Sequence, residues 1–149
     1  MQGITGLGHV AIRVRDIDRT LDFYAGKLGF AELLRLHRDD GRIWLVYLRI
    51  TDDQYLEVFP DAAGERAPGA EANGLNHLCL TVDDIEAVVG RLAERGVPLS
   101  RPLKRGADGN RQAWIEDPDG NRVELMEMAP DGLQALAIRR LREARLAQG

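Results

Sequence analysis

Residues 6–17 read GLGHVAIRVRDI and residues 74–85 read GLNHLCLTVDDI. At an offset of 68, Gly6/Gly74, Leu7/Leu75, His9/His77, Val14/Val82, Asp16/Asp84 and Ile17/Ile85 coincide. Outward from these, DRTLDFYAGKLGF (18–30) and EAVVGRLAERGV (86–97) are each amphipathic and each run to a glycine, Gly29 or Gly96. There the offset has become 67, so the second copy is one residue shorter within the helix. YLEVF (55–59) against RVELM (122–126) keeps the offset of 67. Self-similarity of this kind marks a duplicated structural unit.

Both copies share one grammar. A short alternating apolar run, His9–Val14 or His77–Val82, predicts a strand. Asp16 or Asp83 offers a side chain to cap a helix of about three turns. Strands are then expected at 31–37, 42–50 and 54–59 in the first copy, with Asp39-Asp40-Gly41 as a hairpin turn. In the second they are expected at 98–104, 111–116 and 121–128, with Asp117-Pro118-Asp119-Gly120 as the last turn. Each unit is βαβββ and too small to bury its sheet alone. The expectation is therefore an α+β fold: one domain over 1–129 made of modules 1–60 and 74–128, a Pro/Gly-rich linker at 61–73, and sheets curved around a concave cleft. Residues 130–149 are expected as a helical extension. Leu133, Leu136, Ala137, Ile138 and Leu141 predict an apolar side docked on its own or a neighbouring subunit.

Composition excludes several classes of function. The 149 residues hold 20 basic and 24 acidic side chains, a net charge of −4, with no electrostatic footprint for nucleic acid. The helical extension carries four Arg against two acids, which leaves −6 on the remainder. No apolar run approaches the roughly 20 residues that span a bilayer. No secretory leader is visible, and the single Cys79 fits a reducing compartment, so a cytoplasmic location is expected. Ser100 is the only serine and stands in no nucleophile turn. Cys79 is expected as a small buried filler and His37 as a surface residue beside a charged turn.

Strand parity then sorts the side chains. Val10, Ile12 and Val14 share one face, with His9, Ala11 and Arg13 on the other. The same alternation sets Leu78, Leu80 and Val82 against His77, Cys79 and Thr81. It also puts Glu57 and Glu124 opposite the aliphatic residues of their strands. A carboxylate in mid-strand among Leu, Val and Phe needs a partner. A lone His on a strand is ordinarily a hydrogen-bonded residue and a lone Glu a solvated one. Their repetition with parity preserved favours a shared site, where two neutral imidazoles and two carboxylates would neutralise a divalent cation and leave coordination positions open. Arg122 shares that face and could bind a substrate carboxylate. Lys104 and Arg105 are expected in a glycine-bearing loop, 104–110, able to close over the cleft. Strand 42–50 is apolar on both sides, which suits a partly apolar substrate.

GHVAIRVRDIDRTLDFYAGKLGF, YLEVF, NHLCLTVDDI and EDPDGNRVELME resemble the vicinal oxygen chelate superfamily (glyoxalase I, bleomycin-resistance proteins, methylmalonyl-CoA epimerase, fosfomycin-resistance enzymes and extradiol dioxygenases) over residues 6–128. Within it, His9, Glu57, His77 and Glu124 match the ligand set of glyoxalase I, whereas the epimerase usually carries Gln at the place of Glu57. The resemblance implies one divalent transition metal, Ni, Co or Zn, with Fe or Mn also compatible. It implies proton transfer through a metal-stabilised enediolate on a hemithioacetal of glutathione. Glu124 would be the mobile base and Glu57 its counterpart. Arg13 matches an arginine that contacts glutathione. Asp61 stands where an Asn contacting glutathione is expected, and its charge would repel an anionic conjugate. Members of this size usually form homodimers. The other readings are an epimerase-like enzyme, a dioxygenase, and a metal-free binding protein of the bleomycin-resistance type.

Overall fold

The computed structural model describes residues 3–147. They group into two units, 3–67 with Asp117–Gly120, and 68–116 with 121–147.

In the first unit, β1 (His9–Arg13) leads to Asp16, whose extended backbone and side chain cap α1 (Ile17–Leu21) by accepting the Arg19 N–H at 3.0 Å. The helix does not continue as α-helix. Asp22–Lys27 winds as a π-helix, and the Leu28 N–H donates to the carbonyl five residues back, Phe23 O, at 3.0 Å. A π turn absorbs one residue more than an α turn. That extra residue is the change of offset from 68 to 67: 13 positions separate Asp16 from Gly29 and 12 separate Asp84 from Gly96. Both glycines end their helices at positive φ, +82° and +70°, where a Cβ would be strained.

Three strands follow, β2 (Ala31–His37), β3 (Ile43–Arg49) and β4 (Tyr55–Phe59), giving a sheet in the order β1-β4-β3-β2 with β1 parallel to β4. The strands expected in this copy are all present, within a residue at each end. Val46, Leu48, Leu56 and Val58 are fully buried, as the aliphatic face requires. The edge strand β2 is exposed along its length, and its register with β3 breaks between Glu32 and Leu34. An edge interrupted in this way is a poor template for a further strand.

The second unit repeats the plan with β5 (Leu78–Thr81), α2 (Ile85–Glu94), β6 (Arg101–Arg105), β7 (Arg111–Glu116) and β8 (Arg122–Glu127), in the order β5-β8-β7-β6. The cap of α2 is Asp84, not Asp83. Asp84 Oδ1 accepts the Ala87 N–H at 3.0 Å, while Asp83 accepts from the Asp84 N–H. The aligned residue of the first copy is Asp16, so the offset of 68 already pointed to Asp84. Ile85, Ile115 and Val123 are fully buried, with Leu92, Val97 and Leu125 nearly so.

Two expectations need correction here. Lys104 and Arg105 lie on β6, paired with Gln112 and Arg111, rather than in a loop. The last helix, α3 (Leu133–Leu146), leaves Leu133, Leu136 and Leu141 exposed, and Ala135 is its buried residue. Its anchor is polar. The fully buried Asn110 accepts the Ala129 N–H at 3.0 Å and donates to Asp108 at 2.7 Å and to Gln134 at 3.0 Å, while the Leu133 N–H donates to Asp108 O at 2.8 Å.

Asp117–Gly120, a turn that the repeat places in the second copy, groups with the first unit through specific bonds. Asp119 accepts from the Arg15 N–H at 2.7 Å through Oδ2 and from the Ala67 N–H at 2.8 Å through its carbonyl. The buried Tyr24 hydroxyl donates to Asp117 Oδ2 at 3.2 Å. No helix among the described residues is long and apolar enough to cross a membrane.

Candidate functional site

The predicted site residues fall into two pairs, one per unit. In the first, β1 and β4 run parallel with Ala11 opposite Glu57, which puts His9 within reach of the carboxylate. His9 Nε2 lies 3.2 Å from Glu57 Oε2. In the second, Cys79 is opposite Glu124, and His77 Nε2 lies 3.0 Å from Glu124 Oε2. Both carboxylates are buried, 8% and 7% exposed, between fully or nearly fully buried aliphatic neighbours. An ionised carboxylate so placed needs a cation or donors to offset its lost hydration.

The donor chemistry of the second pair is determined by its surroundings. Asn76 donates through Nδ2 to Ala70 O at 2.8 Å, which leaves Oδ1 to face His77 Nδ1 at 2.9 Å. Nδ1 therefore carries a proton, and in the neutral ring Nε2 turns a lone pair toward Glu124. In that form two acceptors face each other 3.0 Å apart, which calls for a proton or a metal ion between them. Metal–ligand bonds of about 2.1 Å meeting near 90–100°, as in an octahedral shell, place two donors about 3.0–3.2 Å apart, so the spacing of each pair suits adjacent ligands of a divalent metal as well as it suits a hydrogen bond. Among the described residues, no group of three or more His, Cys, Asp or Glu that could hold a metal ion is gathered in one place.

Around each pair stand residues that parity alone did not single out. Tyr47 is the cross-strand partner of Glu57, and its ring meets the His9 ring edge-on at 5.9 Å. A hydrogen bond to the Glu57 carboxylate raises the Tyr47 phenol above its ordinary pKa. In the second unit Trp114 pairs with Glu124 and packs on the His77 ring at 4.8 Å. The signal was available, since Tyr47 and Trp114 are aromatic residues at the offset of 67. Cys79 is exposed rather than a buried filler. Partial desolvation, then the charge and hydrogen bonding of Glu124, push its thiol up to about 12, so it is a poor nucleophile at neutral pH.

The remaining candidates are placed as follows. Arg13 donates to Pro60 O at 2.9 Å and lies over the Phe59 ring at 5.3 Å. Arg122 donates to Asn76 O through Nη2, while its buried Nε has no protein partner among the described residues. Lys104 is exposed on β6. Asp61 is exposed and holds φ at +63°, a left-handed conformation that aspartate tolerates better than most residues. His37 is exposed, as expected.

The profile of the Glyoxalase/Bleomycin resistance protein/Dioxygenase superfamily matches residues 6–125. A lactoylglutathione lyase of Pseudomonas aeruginosa is 32% identical over 83% of this chain and 83% of its own. The uncharacterised protein YaeR of Escherichia coli is 31% identical over 85% of this chain and 99% of its own. Among solved structures, a glyoxalase family protein from Enterococcus faecalis superposes with a TM-score of 0.72 at 36% identity, covering 82% of this chain and 97% of that one. TnmS3, an antibiotic binding protein from Streptomyces, gives 0.67 at 29% identity over 87% of this chain and 100% of its own.

Proposed function

Since the chain belongs to the Glyoxalase/Bleomycin resistance protein/Dioxygenase superfamily, we propose that it is a metal-dependent lyase of the glyoxalase I type. The observation that carries this is the pair of His–carboxylate contacts, 3.2 and 3.0 Å, at equivalent places in the two modules. His9 with Glu57, and His77 with Glu124, would be the residues that ligate Ni²⁺, Co²⁺ or Zn²⁺. When bound, such an ion supplies Lewis acidity toward two neighbouring substrate oxygens. Names of relatives such as the Pseudomonas lactoylglutathione lyase support a hemithioacetal of glutathione as substrate.

Glu124 then removes the proton from the carbon bearing sulfur and returns it to the adjacent carbon, acting as general base and then as acid. The hemithioacetal becomes an α-hydroxy thioester: the C–H proton has moved to the adjacent carbon and the hydroxyl proton to the adjacent oxygen, an isomerisation with no net oxidation. Glu57, held by the Tyr47 hydroxyl, stays in place while this happens. Arg13 and Arg122 are the cations of the two modules suited to substrate carboxylates. The exposed carboxylate of Asp61 opposes an anionic conjugate, so a less acidic thiol carrier is a testable variant of the same chemistry.

The test is a screen of the protein loaded with Ni²⁺, Zn²⁺, Co²⁺ or Fe²⁺ against hemithioacetal, CoA thioester and catechol substrates. Hemithioacetal turnover that Glu124→Gln abolishes, with the fold intact, is the expected result. Less than a tenth of an equivalent of bound transition metal, with none taken up on addition, would sink the enzyme reading. It would favour a small-molecule binding protein, the reading supported by the similarity to TnmS3.

A further inference from the structure

We infer that Asn76 is a positioning residue that fixes the His77 ring for metal binding, a role that rests on the metal-centre reading above. Three bonds hold Asn76. Its Nδ2 donates to Ala70 O at 2.8 Å, its carbonyl accepts from Arg122, and its Oδ1 faces His77 Nδ1 at 2.9 Å. The first of these matters most, because it determines which amide atom turns to the ring. With the NH₂ engaged by Ala70, only the oxygen is left for the imidazole, and the ring must present Nδ1–H to it.

The intrinsically favoured neutral imidazole carries its proton on Nε2, the nitrogen that faces Glu124 3.0 Å away. Asn76 selects the other tautomer. It also blocks rotation of the ring, since turning the imidazole over would set Cε1 against Glu124 and Cδ2 against Asn76 Oδ1, losing both polar contacts. The Trp114 ring, 4.8 Å from the imidazole, limits movement out of that plane. Acceptors of this kind behind a ligating histidine typically govern metal affinity by 10–100-fold. Arg122 belongs to the same device. Its Nη2 grips the Asn76 backbone, so the guanidinium is committed to shaping the loop before β5 as well as to any substrate. Among the described residues no such acceptor faces His9, and the Tyr47 ring meets its ring edge-on instead.

The experiment is a calorimetric titration with Ni²⁺ of the wild type, Asn76→Ala and Asn76→Asp, with thermal denaturation of the metal-free proteins alongside. Asn76→Ala should bind Ni²⁺ about tenfold more weakly, at the lower end of the usual range because Asn76 itself is exposed. Asn76→Asp keeps an acceptor behind Nδ1 and should stay within about threefold of the wild type. In the Zn²⁺-loaded wild type, ¹H–¹⁵N spectra should place the His77 proton on Nδ1. A proton on Nε2, or equal Ni²⁺ affinity in Asn76→Ala, overturns the role of Asn76 and leaves the metal centre standing. A wild type that takes up no metal overturns both.

Discussion

Tyr24→Phe isolates a single buried hydrogen bond. Tyr24 is 1% exposed, and its ring packs on Phe23 at 5.0 Å and on Phe30 at 5.9 Å, contacts that phenylalanine keeps. What the substitution removes is the hydroxyl donated to Asp117 Oδ2 at 3.2 Å. Bonds to charged acceptors contribute about 1.5–3 kcal/mol, and a bond this long belongs at the low end, so the loss should be about 1.5 kcal/mol. Asp117 Oδ1 still accepts the Asp119 N–H at 3.0 Å, so the carboxylate is not stranded. In a urea titration with a slope of about 2 kcal/mol/M, the midpoint should fall by about 0.7 M with the slope unchanged.

The same pair of proteins gives a pH signature. Burial first, then the negative charge of Asp117 and the bond to it, raise the Tyr24 pKa well above 10. A group whose folded pKa is raised contributes stability that is complete below its unfolded pKa and is lost as pH climbs toward the folded value. The wild-type advantage should therefore be constant between pH 7 and 9 and shrink above about pH 10. An advantage below 0.5 kcal/mol at pH 7, or one that grows above pH 10, would refute the account.

Asn110→Ala removes the polar anchor of α3 and strands the Ala129 N–H, and should cost about 2–4 kcal/mol in chemical denaturation, with faster amide exchange over 129–138. Truncation after Arg139 deletes, among the described residues, only exposed ones and should change stability by less than about 1 kcal/mol; a larger loss would mean that the exposed helix is covered in solution. Tyr47→Phe should weaken Ni²⁺ binding at least several-fold by calorimetry while the metal-free protein keeps its melting temperature. Removal of metal with a chelator should lower the melting temperature reversibly, by the equivalent of about 2.7 kcal/mol from a state held at 100 times Kd.

The repeat made much of this architecture legible. Two copies of His, helix and Glu, with parity preserved, are enough to put His9 and Glu57 on one face of their strands and His77 and Glu124 on one face of theirs, because a strand allows only two faces. What escaped was whatever depends on atoms rather than alternation. Asn76 looks like a loop residue until its amide is seen bonded at both ends. Hydrophobic spacing in 133–141 predicted a buried stripe, but a helix anchored through Asn110 at its first turn need not bury its apolar residues. The turn at 117–120 reads as local punctuation, and nothing local reveals that Asp119 accepts from Arg15, 104 residues earlier.

A helix that takes up an extra residue in one π turn leaves every element after it in place. The strands that follow Asp22–Lys27 keep their inward and outward sides, so Glu57 stays on the face of His9 despite the added length. Had the same residue entered a strand, every side chain beyond it would have changed sides. Helices are thus where a duplicated chain of this kind can drift in length without harm. The two halves, begun as equals, could diverge there while the spacing that matters for chemistry stayed under separate control.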